Sequence, residues 1–121
     1  MVRQSKEGPG WRIGWDEAAT EFQGLLGGDQ WALELTAAEF NDFCRLAQQI
    51  AATMATMAAD LMADERLTCE LETEHIWLES DGYPQAYSLR FILLTGRRGE
   101  GAWPIAVVPE LLQAIAYLKV F

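Results

Sequence analysis

His75 is the single histidine of the chain, and it is the first side chain to consider for acid–base or metal chemistry. A zinc site needs three or four nitrogen or sulfur ligands, whereas the sequence has no second histidine and no Cys-x-x-Cys spacing. Acid–base catalysis would need a nucleophile beside the imidazole, and no Gly-x-Ser-x-Gly string is present. The sequence therefore predicts no metal site, and we interpret His75 as an ordinary strand histidine.

Acidic side chains are concentrated around this histidine in the sequence. They are Glu70, Glu72, Glu74, Glu79 and Asp81. A catalytic pair of carboxylates needs one acid in an apolar pocket and one ionised acid close to it. Glu70 and Glu72 instead alternate with apolar residues, as on the solvated face of a strand. We favour the solvated face, keep a patch for a cation or a basic partner as the alternative, and predict no catalytic or cofactor-binding residue.

Arginines near aromatic side chains are the second chemical candidate. Arg90, Arg97, Arg98 and Trp103 could hold single-stranded nucleic acid, because guanidinium groups contact phosphates and aromatic rings stack on bases. The whole chain carries 18 acidic against nine basic residues, a formal net charge of −9 that repels phosphate backbones. Nucleic-acid binding is therefore the alternative function, and we favour a structural turn with internal ion pairs for these arginines.

Length and composition indicate one compact unit. A chain of 121 residues has the size of a single domain with a modest core. Residues 1–10 are polar and end in Gly8-Pro9-Gly10, so we expect a flexible N-terminal arm before a single domain over residues 11–121. The N-terminus has no apolar signal core, and the two cysteines lack metal-ligand spacing. These features predict reduced thiols and a cytoplasmic protein.

A long helix over residues 36–63 organises the rest of the chain. Thr36 and Glu39 have the spacing of a capping box, and apolar residues then recur every three or four positions. Residues 46–59 contain no charge, but Gln and Thr make this helix too polar to cross a bilayer. An uncharged helix is usually covered on more than one side, and we expect residues 46–59 to be sheathed all around. Either it lies across a sheet, or its second face meets the same helix of another subunit. The second alternative predicts four interface residues: Phe43, Ile50, Met54 and Met57.

Alternating apolar residues predict strands on both sides of this helix. They lie near residues 11–16, 31–35, 67–72, 76–80, 86–95 and 102–104, with a turn of four residues near Thr73 and an irregular segment over residues 16–28. Pro109 suits the first turn of a short final helix. The predicted fold class is α+β, with a curved antiparallel sheet of five to six strands packed against one long helix and a short C-terminal helix.

Several strings carry a resemblance to a known family. They are GPGWRIGWD at 8–16, WALELT at 31–36, DFCRL at 42–46, GYP at 82–84 with YSLR at 87–90, and GRR at 96–98 with WP at 103–104. Over residues 7–117 the chain resembles a small cyanobacterial family, the domain of unknown function 1818. The resemblance implies no activity, because the family has no assigned catalytic residues. It implies a fold similar to the single-stranded-DNA-binding Whirly and positive-cofactor-four domains, which usually assemble through their helices.

The acidity of the chain separates it from those DNA-binding domains. It lacks a lysine-rich sheet surface and a flanking basic arm, so the fold alone does not transfer DNA binding. The leading hypothesis is a non-catalytic, homodimeric interaction or regulatory module without a cofactor, with a further protein partner as a possibility. Single-stranded nucleic-acid binding is the alternative, and a small-molecule pocket within the curved sheet is the third hypothesis. We lean against an enzyme.

Overall fold

The computed structural model describes residues 3–60 and 64–118, which form two four-stranded antiparallel sheets and two helices. The first half of the chain contains β1 (Arg3–Gly8), β2 (Trp11–Asp16), β3 (Gly24–Gly28), β4 (Ala32–Leu35) and α1 (Ala37–Ala59). The second half contains β5 (Leu67–Glu72), β6 (Ile76–Tyr83), β7 (Ala86–Leu93), β8 (Glu100–Trp103) and α2 (Val108–Tyr117). Each half is thus a meander followed by a helix. We call β1 to β4 sheet A and β5 to β8 sheet B.

The α+β class with one long and one short helix is confirmed, but the prediction of one sheet with five to six strands does not match the structure. The structure has two more strands than the sequence predicted, because these two have no alternating apolar pattern, and the eight strands divide into two sheets. The first is β1, which lies within residues 1–10, the predicted flexible arm, and pairs with β2 from Arg3 opposite Asp16 to Gly8 opposite Trp11. It is a polar edge strand that is exposed on most of its length, so no period-two pattern marks it.

The second missed strand is β3, in the segment predicted to be irregular. Its sequence is glycine-rich, and glycine is rare in strands because it adds no packing surface. The structure explains these glycines by close packing. A Cβ atom on Gly24 would lie 2.5 Å from the ring of Phe40, and one on Gly28 would lie 2.2 Å from the indole of Trp31. Glycine at these two positions leaves room for a neighbouring aromatic ring. The same residue type lowers the strand propensity of the segment.

The predicted capping box fixes the start of α1. The Thr36 hydroxyl accepts a hydrogen bond from the Glu39 N–H at 3.2 Å, and the Glu39 carboxylate accepts one from the Thr36 N–H at 2.8 Å. The helix ends at Ala59, and the predicted continuation over residues 61–63 lies outside the described residues. The start of the helix is therefore encoded locally.

The second face of α1 is covered by the other half of the same chain. The helix packs on β5 and β6 of sheet B and on α2, while α2 packs on β2 of sheet A. Phe43, Ile50 and Met54, three of the predicted dimer-interface residues, are at most 1% exposed in this core. They have no surface to offer to a second subunit, and only Met57 is half-buried. Assigning those three to a subunit interface was wrong, because the sequence pattern records burial and not the origin of the covering surface.

The remaining flank of α1 faces solvent, which contradicts the expectation that this uncharged helix is sheathed all around. The exposed residues of this uncharged flank are Gln48, Gln49, Ala52, Thr53, Ala55, Thr56 and Ala59. These side chains are small or polar, and the Thr56 hydroxyl donates to the carbonyl of Ala52 at 3.1 Å. Small and polar side chains can face solvent even when none of them is charged. The lack of charged residues in a helix therefore does not by itself predict that another surface covers it.

Candidate functional site

The four residues predicted for nucleic-acid binding do not form one surface. Trp103 is 1% exposed and donates its indole N–H to the carbonyl of Gly27 at 2.9 Å, which joins sheet B to sheet A. Arg97 donates to the Glu39 carboxylate at 2.6 Å and to the carbonyl of Glu34 at 2.8 Å. Both side chains therefore bond to other parts of the same chain, and the structural-turn interpretation predicted this for Arg97.

Arg90 and Arg98 are the two candidates that remain on the surface. Arg90 lies on the outer face of sheet B with its guanidinium 5.1 Å from the ring centre of Trp77. Arg98 lies in the β7–β8 turn and adopts a positive φ of 53°. Since Arg97 and Trp103 are engaged elsewhere, only Arg90 and Arg98 of the predicted set are placed to contact a phosphate, and the predicted aromatic, Trp103, does not lie on their surface.

The carboxylate of Glu39 is the most buried charged group of the described chain. Its side chain is 2% exposed, and it accepts hydrogen bonds from the Thr36 N–H, the Thr95 hydroxyl and Arg97. Burial by itself raises the pKa of Glu39, but the hydrogen bonds from Thr95 and Thr36 and the charge of Arg97 outweigh it, so the pKa lies below its ordinary value. Glu39 is thus an ionised structural anchor that fastens the β7–β8 turn to α1.

His75 pairs with Asp42 rather than standing alone. It lies in the turn between β5 and β6, not in a strand as predicted, and its Nδ1 is 2.8 Å from the Asp42 carboxylate. The Thr73 hydroxyl donates to the same oxygen at 2.7 Å. Because this hydroxyl is committed to Asp42, it is not placed as a nucleophile for the imidazole. These three side chains attach the turn to α1. The turn has the four residues that the sequence predicted, since Glu72 pairs with Trp77 on either side of it.

The His75–Asp42 pair predicts a pH-dependent contribution to stability. The hydrogen bond to Asp42 outweighs burial and raises the pKa of His75. A raised pKa stabilises the fold fully below the unfolded value of about 6.5, and this contribution disappears as the pH rises through the folded value. We expect His75→Gln to lower the free energy of unfolding more at about pH 5.5 than at about pH 8.5. Urea titrations of both proteins at both pH values measure this; an equal loss would show that His75 acts through packing alone.

Four of the five residues of the acidic run lie on the outer face of sheet B, as the solvated-face prediction required, and the fifth, Glu74, lies exposed in the β5–β6 turn. Strand pairing places Glu72 opposite Trp77, Trp77 opposite Ile92, and Ile92 opposite Glu100. The neighbouring row contains Glu70, Glu79, Arg90 and Ala102. Trp77 and Ile92 are half-buried at the centre of this face, while Glu70, Glu72 and Glu100 are exposed. The strand pairing thus assembles a surface with an apolar centre and an acidic rim.

Trp77 is the functional candidate that the sequence reasoning passed over. It alternates with Ile76 and Leu78, which are both fully buried. The strand period of two therefore placed its ring on the polar face of β6. That signal was present in the sequence, whereas the partnership between His75 and Asp42 was not.

Strand β5 forms one edge of sheet B, with β6 as its only strand partner among the described residues. Leu67, Cys69 and Leu71 face inward and are only half-buried. The opposite edge, β8, is covered, since the Trp31 indole donates to the carbonyl of Ala102 at 3.3 Å. The two edges thus differ: β8 is covered by sheet A, whereas β5 has no second strand partner in the described part of the chain.

A cavity of about 490 Å³ lies where three turns meet beside Trp31. Its lining is mostly apolar and includes Pro9, Pro104 and Val107. It lies between the β1–β2 turn, the β3–β4 turn and the segment after β8, and not within a curved sheet as the third hypothesis placed it. Its volume falls in the range of small-molecule sites. Binding of a small molecule in this cavity stays a prediction.

Within residues 3–60 and 64–118, no three His, Cys, Asp or Glu side chains converge in a way that would hold a metal ion. None of the described helices combines the length and apolarity that a membrane crossing needs.

Comparisons with known proteins give a family and a fold but no activity. A family model for a domain of unknown function (DUF1818) matches residues 6–118. The chain is also similar to a crystal structure of a protein of unknown function from Prochlorococcus sp. NATL2A, described as a DUF155 protein. The two share 32% sequence identity over 96% of this chain and 97% of that chain, with a TM-score of 0.85. Among curated proteins, none matches.

Proposed function

Because the chain belongs to the DUF1818 family, which has no assigned function, we propose a role from its own surfaces: a non-catalytic interaction module that forms a homodimer through the open edge of β5. The predicted membership of an uncharacterised family is confirmed. The observation that carries the proposal is a strand edge that no other strand of residues 3–60 and 64–118 pairs with, and whose inward side chains are only half-buried. Open edges of this kind pair with further strands unless something covers them.

The hydrogen-bonding pattern of β5 supports this proposal. The Thr73 N–H donates to the carbonyl of Ile76 at 2.9 Å, so residue 73 directs its backbone groups toward β6. Since backbone groups alternate along a strand, Thr68, Glu70 and Glu72 direct theirs away from β6. Three residues therefore present N–H and C=O groups on the open edge, which is enough for a short antiparallel ladder with a second β5.

Side-chain chemistry favours a register with Cys69 on the two-fold axis over the register with Glu70 on it. With Cys69 on the two-fold axis, Thr68 lies opposite the partner's Glu70, and Leu67 lies opposite the partner's Leu71. With Glu70 on the axis, two carboxylates would face each other, which is unfavourable. The Cys69 register also brings together inward apolar residues that one subunit leaves half-exposed. It makes one eight-stranded sheet, with both α1 helices on the same side.

We also propose that the fold is related to the Whirly and positive-cofactor-four domains. The support is the repeated order of a four-stranded meander and a helix, with α1 packed on sheet B and α2 on sheet A. DNA binding does not come with that relation here, since the outer face of sheet B is acidic.

Two free cysteines fit a reducing cytoplasm, where we place the protein.

Replacing Glu70 with proline should convert the dimer into a monomer. Proline removes the N–H that Glu70 presents on the open edge and leaves the bonds between β5 and β6 in place. Glu70→Thr is the matched control, because it removes the same charge and keeps the N–H. Sedimentation velocity at micromolar concentration should show a dimer for the wild type and Glu70→Thr, and a monomer for Glu70→Pro. A wild-type monomer, or a Glu70→Pro dimer with unchanged affinity, would contradict the proposal.

The register predicts a specific cross-link. With Cys69 on the two-fold axis, the Cys69 residues of the two subunits would lie directly opposite each other. The distance between their Cα atoms in such a strand pair permits a disulfide. Cys44 does not compete, because burial raises the pKa of its thiol to about 12. Mild oxidation should yield a dimer on a non-reducing gel, and Cys69→Ser should abolish it. A cross-link that persists in Cys69→Ser would place the interface elsewhere.

A further inference from the structure

We propose that the outer face of sheet B is a docking surface for an arginine-rich, extended protein segment. The surface lies within one subunit, so the proposal does not depend on dimer formation. It consists of the half-buried Trp77 and Ile92 at the centre and the carboxylates around them.

The charge of this face selects a basic partner. Five carboxylates lie on it: Glu70, Glu72, Glu79, Asp81 and Glu100. Two arginines oppose them, and one of these, Arg66, is paired with Asp81 at 2.8 Å. The other, Arg90, lies in the register position opposite Glu79. Negative charge therefore remains in excess, as in the whole chain, and it attracts cationic groups at long range.

The contact between Arg90 and Trp77 shows which cation suits the surface. The Arg90 guanidinium lies 5.1 Å from the centre of the Trp77 ring. A planar guanidinium stacks on an indole and donates to carboxylates through a rigid fork, whereas a lysine ammonium is more strongly hydrated and acts as a point charge. The surface thus holds one arginine of its own in the way that it would hold the arginines of a partner.

The spacing of the acidic residues suits an extended segment that crosses the strands. Glu72 and Glu100 end one row that runs across all four strands of sheet B. Three strand separations of about 4.8 Å put their Cα atoms roughly 14 Å apart. Residues i and i+4 of an extended chain are separated by roughly 13 Å. Arginines at these two positions would meet the two glutamates, and residue i+2 would lie over Trp77 and Ile92.

The test is the binding of a fluorescein-labelled peptide with arginine at every second position and alanine between. Fluorescence anisotropy should show saturable binding that weakens as salt is added. The same peptide with lysine should bind more weakly, because lysine loses the stacking on Trp77. A labelled oligothymidine should not bind. Binding of the oligonucleotide, or the absence of saturable peptide binding, would overturn the proposal.

Two variants separate this surface from the general acidity of the chain. Glu72→Gln/Glu100→Gln should weaken arginine-peptide binding at least tenfold, because both ends of the row lose their charge. Glu21→Gln/Asp29→Asn removes the same charge from exposed positions outside sheet B and should change the affinity less than twofold. Trp77→Ala should remove the preference for arginine over lysine. An equal loss of peptide affinity in the two double variants would show that the peptide is attracted by the net charge of the whole chain, and would overturn the docking site.

Discussion

Replacing Trp103 with alanine should lower the free energy of unfolding by about 3–5 kcal/mol, the range for deleting a large aromatic side chain from a packed core. Trp103 is 1% exposed, and its ring centre lies 5.2 Å from that of Trp31 and 5.6 Å from those of Phe43 and Phe91. This aromatic cluster joins sheet A, α1 and sheet B. The variant therefore leaves a cavity at a place where all three layers meet.

The hydrogen bond of Trp103 can be separated from its packing. Trp103→Phe keeps most of the ring but removes the hydrogen bond to the carbonyl of Gly27, and the loss of one hydrogen bond costs about 0.5–1.5 kcal/mol. Trp77→Ala removes an indole from the half-buried outer face of the same sheet and should cost less than Trp103→Ala. Urea unfolding followed by circular dichroism measures all three. A loss for Trp103→Ala no larger than that for Trp77→Ala would contradict the central role of the cluster.

The elements that the sequence predicted well are those whose signals are local. The capping residues Thr36 and Glu39 lie three positions apart and bond to each other, so the start of α1 could be read directly. Strands such as β2 and β5 were predicted because one face is apolar and the other polar. Strand β3 could not be predicted, since Gly24 and Gly28 are explained only by the rings of Phe40 and Trp31 that pack against them.

Partnerships between distant residues account for most of what the sequence did not predict. Arg97 and Glu39 are separated by 58 positions, and His75 and Asp42 by 33. A single sequence contains no signal that pairs them. The same limit applies to Ile50 and Met54: their spacing showed that they are buried, but not that the second half of the same chain buries them.

The Arg97–Glu39 pair gives the second large prediction. Arg97→Met should lower the free energy of unfolding at neutral pH by about 2 kcal/mol, less than the 3–5 kcal/mol for a fully buried pair, because Arg97 remains partly exposed. Methionine can keep the contact that Arg97 makes with the Phe22 ring, so the loss reports mainly on charge. Arg98→Met is the matched control, since the neighbouring arginine lies exposed in the same turn.

The same variant should also change how stability depends on pH. In the wild type the pKa of Glu39 lies below its ordinary value, so its contribution is present above the unfolded pKa of about 4.3 and is lost as the pH falls through the folded value. In Arg97→Met, burial still raises the pKa of Glu39 while the opposing cation is gone, so the loss on acidification should begin at higher pH. Acid titration of Arg97→Met, and of Arg97→Met with Glu39→Gln, measures the shift. The double variant should lack it, because it has no carboxylate at position 39 to protonate. A shift that persists in the double variant would mean that another acid, and not Glu39, responds to the loss of Arg97.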